Sequence, residues 1–224
     1  MSSIKKICSD HRGIVLFYIA GVVSLVLFSL YIHFFWSTFD ADIAGVIRQD
    51  RGKAFAAVMG FISWWGMSYV MIVSVFCASL LFFLASYKRE AWFTLSVLVA
   101  DIVNIFLKLI INRHRPDEVV IFPKFQQASF PSGHVVHYVV FFGFILAVML
   151  FNSSIHKGLR GIVSLLCVFL IAGVSVARIY LGTHWATDIV AAYIVGFMML
   201  GVVILLYLKD VDSKNSLKKG VGQY

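Results

Sequence analysis

Six apolar stretches, each near the length that crosses a bilayer, constrain this chain more than any other feature. They run roughly over residues 14–36, 66–86, 91–111, 134–151, 161–180 and 185–207. A spanning helix needs about 20 mostly apolar residues. Inside lipid the backbone must satisfy its own hydrogen bonds, so each run is expected to be a helix. The segment Ala54 to Trp65 is also apolar. It reads either as an interfacial helix leading into the second span or as an extension of that span. Trp64 and Trp65 suit a membrane–water interface. Hydrophobic residues make up 61% of the 224 and charged residues 13%, against about 25% charged in a soluble domain. A soluble globular class is excluded on that ground. The expected fold is all-α and polytopic, six transmembrane helices in one domain over residues 1–224, with short tails at about 1–13 and 208–224. No internal repeat, low-complexity tract or Pro-rich linker interrupts it. Ile14 to Trp36 exceeds the roughly 7–15 residues of a secretory apolar core, so it reads as an uncleaved first span.

The net charge is +8. In a soluble chain that would suggest nucleic acid, but here the positive residues lie in short loops and tails, where they report topology. Lys5, Lys6, Arg12, Lys88, Arg89, Lys157, Arg160, Lys209, Lys214, Lys218 and Lys219 fall on one side. Arg48, Arg51, Lys53, Lys108, Arg113, Arg115, Lys124 and Arg178 fall on the other, and at least three of these are better explained by chemistry. Both termini are therefore expected in the cytoplasm, with the loops after spans one, three and five facing outward, and a bacterial inner membrane is the expected location. Of the three cysteines, Cys77 and Cys167 sit in apolar runs and Cys8 in the N-terminal tail. Their spacing suggests neither a metal site nor a disulfide framework.

Three polar clusters stand out. Lys108 and Arg115-Pro116 close span three, Pro131-Ser132-Gly133-His134 opens span four, and Arg178, His184 and Asp188 join spans five and six. In the topology above, all three reach one membrane face. Three cations converging at a membrane surface imply an anion, and arginine forks match phosphate oxygens. Ser132 and the backbone N–H groups around Gly133 stand at a helix start, where the dipole also favours negative charge. His184 and Asp188 are four residues apart and share a helix face. A carboxylate there can hold one ring nitrogen as N–H and leave the other free to attack phosphorus. His134 can act as general acid toward the leaving oxygen and then as base toward water. The cations can stabilise the charge, so no metal or cofactor is required. No HExxH, Asp-rich pair or Walker loop is present.

Together the clusters resemble the type 2 phosphatidic acid phosphatase (PAP2) superfamily, whose pattern reads KxxxxxxRP, PSGH and SRxxxxxHxxxD. Lys108 to Pro116, Pro131 to His134, and Arg178, His184 and Asp188 match with full spacing. The family Ser before the Arg is Ala177 here, which removes a hydroxyl donor to phosphate. The resemblance implies phosphate binding by Lys108, Arg115, Ser132, Gly133 and Arg178, with His184 as nucleophile, Asp188 as its partner and His134 as acid. It also implies a lipid phosphatase acting on a substrate of the undecaprenyl pyrophosphate, phosphatidic acid, phosphatidylglycerophosphate or lipid A type. The expected partners are that substrate and bilayer lipids, with no obligatory protein partner and no nucleic acid. Lipid-to-lipid phosphotransfer through the same intermediate is the nearest alternative. A non-catalytic lipid-phosphate binder or transporter is the more distant one.

The remaining polar residues carry less. Asp101 and Asn104 form a stripe with Lys108 on span three, and Asp101 is expected to pair within the bundle. His137 and Tyr138 are candidates for the site entrance. Arg113 and His114 read either as contacts to a substrate headgroup or as residues facing water, with no choice between the two. Asp40, Asp42, Arg48, Asp50, Arg51 and Lys53 read as a solvated outer loop. The loop Asp117 to Phe130 is expected to meet the headgroup, with Asp117 and Glu118 disfavouring a strongly anionic one.

Overall fold

The structure is a computed structural model that describes residues 11–34, 38–49, 51–116 and 128–221. It is helical throughout its regular elements: α1 (His11–Phe34), α2 (Thr38–Ile47), α3 (Gly52–Trp65), α4 (Ser68–Leu84), α5 (Lys88–Ser96), α6 (Leu98–Ile111), α7 (Gly133–Phe151), α8 (Lys157–Tyr180) and α9 (Ala186–Val221). Among the described residues, five stretches are long and apolar enough to cross a membrane: 12–32, 88–111, 133–151, 157–180 and 186–210. The pair α3–α4 brings the number to six if counted as one span. The chain is an integral membrane protein.

Several boundaries differ from the sequence reading. The segment expected at Ala54 to Trp65 is a separate helix, α3, bent by 67° from α4. It packs against α8 rather than continuing the next span in a straight line. The third span starts at Lys88 and breaks locally at Val97, between α5 and α6. Thr94 and Ser96 turn their hydroxyls back onto the carbonyls of Glu90 and Phe93 at 2.8 and 2.7 Å, a bonding pattern that bends helices. The segment expected as a tail from residue 208 continues α9 as helix to Val221.

Helix α7 is the centre of the bundle. It is apolar on all sides, the mark of a helix enclosed by others. Val135, Val136, Val139, Val140, Phe144 and Val148 are fully buried, and α8, α9, α6 and α5 pack around it. Small residues let α9 come close. A Cβ on Gly196 would stand 2.8 Å from the Val139 Cβ, and one on Gly143 would stand 2.6 Å from Leu200 Cδ2. The outer helices show the reverse pattern. Val15, Leu16, Ile19 and Leu27 of α1, and Ile102, Phe106 and Leu109 of α6, are exposed apolar side chains, suited to lipid.

Charged groups lock the end of the bundle away from the three motifs. Arg160 donates to the carbonyls of Met149 and Leu150, neutralising the negative end of α7. Tyr207 and Arg89 both donate to buried Glu90, at 2.8 and 3.1 Å, tying α9 to α5. At the other end α6 and α8 finish, and α7 and α9 begin. That alternation brings three distant stretches of sequence to one place.

Candidate active site

Two turns deliver the site residues. Helix α6 ends at Asn112, which adopts the left-handed conformation (φ 43°) and bonds back to the Lys108 carbonyl at 3.0 Å. Asparagine tolerates this conformation better than most residues. The chain then runs beside the segment before α7. Ser129 N donates to the Arg113 carbonyl at 2.7 Å, and the Ser129 hydroxyl reaches the carbonyls of Arg113 and His114 at 3.2 and 3.0 Å. Helix α8 ends at Tyr180. Gly182 there takes a positive φ of 70°, which suits glycine. Thr183 bonds back to the Arg178 carbonyl through both its N–H and its hydroxyl, at 3.2 and 3.0 Å.

The structure brings all eight sequence-derived site residues to this end of the bundle. The Lys108 ammonium donates to the carbonyls of Ala128 and Ser129 at 2.8 and 3.3 Å. Arg115 donates to the Thr183 carbonyl at 2.9 Å. Buried Arg178 donates to the Ser63 hydroxyl at 2.6 Å, and its Nε has no partner among the described residues. Ser132 is fully buried at the N-cap position of α7, yet its hydroxyl neither caps that helix nor meets any described partner. Its N–H donates to the Asp188 carbonyl at 3.3 Å. A Cβ on Gly133 would lie 3.1 Å from Asn104 Nδ2, so glycine is what lets the start of α7 approach α6. Two buried donors, Ser132 Oγ and Arg178 Nε, thus stand in a field of three cations, and an anion is the ligand that such donors fit.

His184 and Asp188 are both buried, with Nδ1 of the ring 3.4 Å from Asp188 Oδ2. That oxygen also accepts the Trp185 N–H at 3.0 Å. Burial, and after it the charges of Arg178, Lys108 and Arg115, push the His184 imidazole well below the ordinary histidine range. It is therefore neutral at pH 7, with Asp188 positioned to accept a hydrogen bond from its Nδ1–H. His134 faces the guanidinium charges of Arg178 and Arg115, and its ring lies against Gly66 at the end of α3.

Five residues of this neighbourhood lay beyond the sequence reading. Asp40, expected in a solvated outer loop, is a buried residue of α2. It accepts from Arg113 at 2.8 Å and from the N–H and hydroxyl of Thr187 at 2.9 and 2.7 Å. Arg113, open in sequence between a headgroup contact and water, also donates to Asp188 Oδ1 at 2.6 Å. Ser63 and Gly66 come from α3, a helix with no motif of its own. Arg48, placed in the same outer loop, donates to the Ile179 carbonyl at 3.1 Å. His137 and Tyr138 are buried rather than at an entrance. His137 Nδ1 lies 3.0 and 3.2 Å from the carboxylate oxygens of Asp101, and Tyr138 donates to the Ile62 carbonyl. Asp101 thus pairs within the bundle. The headgroup reading of Asp117 and Glu118 falls on residues 117–127, outside the described residues, as do Cys8 and Asp50.

An all-helical membrane bundle with a cationic, histidine-bearing end is the architecture of a known class of enzymes. The model of the PAP2 superfamily matches residues 89–212, more than half of the chain, and the chain belongs to that superfamily. It is a membrane phosphatase of the PAP2 type. It is 26% identical over 186 residues to an undecaprenyl-diphosphatase of Sulfolobus acidocaldarius, covering 81% of this chain and 82% of the relative. It is 30% identical over 141 residues to phosphatidylglycerophosphatase B of Bacillus subtilis, covering 57% of this chain and 62% of the relative. Among solved structures, the transmembrane PAP2-type phosphatidylglycerolphosphate phosphatase of Bacillus subtilis superposes with a TM-score of 0.67 at 22% identity, covering 88% of this chain and 96% of that one. LpxE of Aquifex aeolicus superposes with a TM-score of 0.52 at 18% identity, covering 73% and 93%. At these identities the two structures speak for the fold alone.

Proposed function

We propose that this enzyme hydrolyses a phosphate or pyrophosphate monoester on a membrane lipid through a phosphohistidine on His184. The observation that carries the reading is the pair of buried donors with no partner among the described residues, Ser132 Oγ and Arg178 Nε, beside a neutral histidine held by a carboxylate. Lys108, Arg115, Ser132, Gly133 and Arg178 bind the phosphoryl oxygens. In the first step the free Nε2 of His184 attacks phosphorus, and the bond to the leaving oxygen breaks. His134 gives that oxygen its proton. The positive charge that develops on His184 is met by Asp188. In the second step His134 takes a proton from water, the water oxygen bonds to phosphorus, and the phosphorus–nitrogen bond breaks to release phosphate. The converging cations supply the transition-state stabilisation that preorganised charge gives in a dry site, and a metal has no part in either step.

The substrate class rests on the membrane setting and on the relatives. A site at the end of a bilayer-embedded bundle suits a lipid whose phosphate lies at the interface. An undecaprenyl-diphosphatase and a phosphatidylglycerophosphatase among the relatives put undecaprenyl pyrophosphate and phosphatidylglycerophosphate first in the panel, with phosphatidic acid and lipid A phosphates beside them. Lys88, Arg89, Lys157 and Arg160 mark the end opposite the site. By the positive-inside tendency that end and both termini are cytoplasmic, and the site faces the outside of a bacterial inner membrane. The test is phosphate release by detergent-purified protein in EDTA, across this lipid panel, for the wild type and His184→Ala. Release that survives EDTA and vanishes in the variant supports the reading. Release that needs a divalent metal, or persists in the variant, overturns it. Transfer of label to a second lipid without free phosphate would mark a phosphotransferase.

A further inference from the structure

We infer that Arg113 and Asp40 are a positioning pair for the His184–Asp188 couple. Arg113 fixes the Asp188 carboxylate, and Asp40 offsets the Arg113 charge so that Asp188 keeps its strength as an acceptor. This rests on the reading of His184 as nucleophile.

The geometry divides the two oxygens of Asp188 between different tasks. Oδ2 faces His184 Nδ1 at 3.4 Å and accepts the Trp185 N–H at 3.0 Å. Oδ1 faces away and accepts from the Arg113 guanidinium at 2.6 Å. The same guanidinium nitrogen reaches the Thr187 hydroxyl at 2.7 Å, and its neighbour reaches Asp40 at 2.8 Å. Asp40 is itself fixed by the Thr187 N–H and hydroxyl at 2.9 and 2.7 Å. The Arg113 guanidinium also lies over the Trp185 ring, 5.7 Å from its centroid. Asp40, Thr187 and Asp188 are all nearly inaccessible to solvent. Three segments that are distant in sequence are therefore locked around one carboxylate: α2, the stretch after α6, and the first turn of α9.

The charge balance says why two carboxylates share one arginine. A buried carboxylate needs a partner, and Lys108, Arg115 and Arg178 are committed to the phosphate side. Arg113 approaches Asp188 from the other side. An arginine paired with Asp188 alone would draw electron density away from Oδ2 and leave His184 a poorer nucleophile. Asp40 takes up part of that charge. The groups that face His184 directly are Asp188 from α9, Arg178 from α8, Lys108 from α6, His134 from α7 and Arg115 from the segment after α6, while Arg113 meets Asp188 and not the ring. Asp40 and Arg113 act through Asp188 and touch no substrate.

Opposite signs follow for the two halves of the pair. Arg113→Gln removes a positive charge near the couple, so the His184 pKa rises. Asp40→Asn leaves Arg113 uncompensated, so the His184 pKa falls. The double variant lies between them, near the wild type. The measurement is the imidazole titration by NMR of detergent-solubilised protein labelled at histidine ring carbons, with the His184 signal assigned through His184→Gln. It reads the pair whether or not any tested lipid is hydrolysed, so its failure is separable from failure of the phosphatase reading. In active protein, Asp40→Asn is expected to lower kcat by roughly 10-fold with little change in KM, the scale of loss when an outer partner of a functional side chain is removed. Asp40→Asn keeps the shape of the side chain and serves alone if Arg113→Gln fails to fold. No movement of the His184 titration in Asp40→Asn, or movement of both single variants in the same direction, overturns the inference.

Discussion

Gly66 and His134 stand so close that the Cδ2 edge of the His134 ring fills the place a side chain on Gly66 would take. One short helical end governs more than this contact. Ile62 receives the Tyr138 hydroxyl and Ser63 receives Arg178. Helix α3 is thus the backing of two motifs that it does not belong to. In Gly66→Ala the added methyl must displace the His134 ring or the end of α3. A displacement of about 1 Å at a reacting group costs on the order of 100-fold in rate. The expected result is a fall in kcat of that size with the protein still folded, read by phosphate release beside a thermal melt. Activity near the wild-type value contradicts the placement of His134.

Ser63 is expected to matter through Arg178. Its hydroxyl holds the guanidinium at 2.6 Å, next to fully buried Ala177, where the family pattern carries a serine. Ser63→Ala leaves a buried charged donor short of a partner, worth about 1.5–3 kcal/mol for a hydrogen bond to a charged group. Steady-state kinetics should show kcat/KM reduced by about 10-fold or more. An unchanged value would mean that Arg178 finds its anion without this support.

The acid limb of the pH profile follows from His184. Burial and the neighbouring cations hold its pKa below the ordinary range, and only the neutral ring can attack. Activity should therefore persist below pH 6.5, the usual histidine value, and fall at lower pH as the ring is protonated. Lys108→Met removes one of the depressing charges. It should lower the rate and also move the acid limb of kcat/KM to higher pH, compared on one substrate. A limb that moves to lower pH has the wrong sign for this electrostatics.

Packing at the α7–α9 contact gives a prediction independent of chemistry. A Cβ on Gly196 would meet the stiff, branched Val139 side chain at 2.8 Å, whereas a Cβ on Gly60 would meet nothing within 4 Å. Gly196→Ala should destabilise by about 1–3 kcal/mol, the usual cost of overpacking. Gly60→Ala, in a helix with open space, should be neutral or stabilising by up to about 1 kcal/mol. Unfolding in detergent compares the two. Equal effects would mean that the helices can part without cost.

The long apolar runs and the three motifs were legible because each is local: a run announces itself by length, a motif by spacing. What the sequence left open depends on contacts across the bundle. Asp40 is indistinguishable in sequence from its exposed neighbour Asp42, and only the fold places one of them against Thr187 and Arg113. Arg113 sits two residues before Arg115 in a polar stretch, with nothing local to say which arginine turns toward Asp188. Ser63 and Gly66 lie in an apolar segment whose 67° bend from α4 has no Pro or charge to announce it. The pairing of Asp101 within the bundle could be expected from an ionisable residue inside a span, but its partner, His137, had to be seen.

The phosphohistidine on His184 is tested most directly by quenching turnover of a lipid carrying a labelled terminal phosphate and locating the label on the protein. A base-stable, acid-labile phosphate is expected on the peptide that contains His184, absent in His184→Gln. Steady release of phosphate with no such adduct, or with the label on another residue, would contradict it.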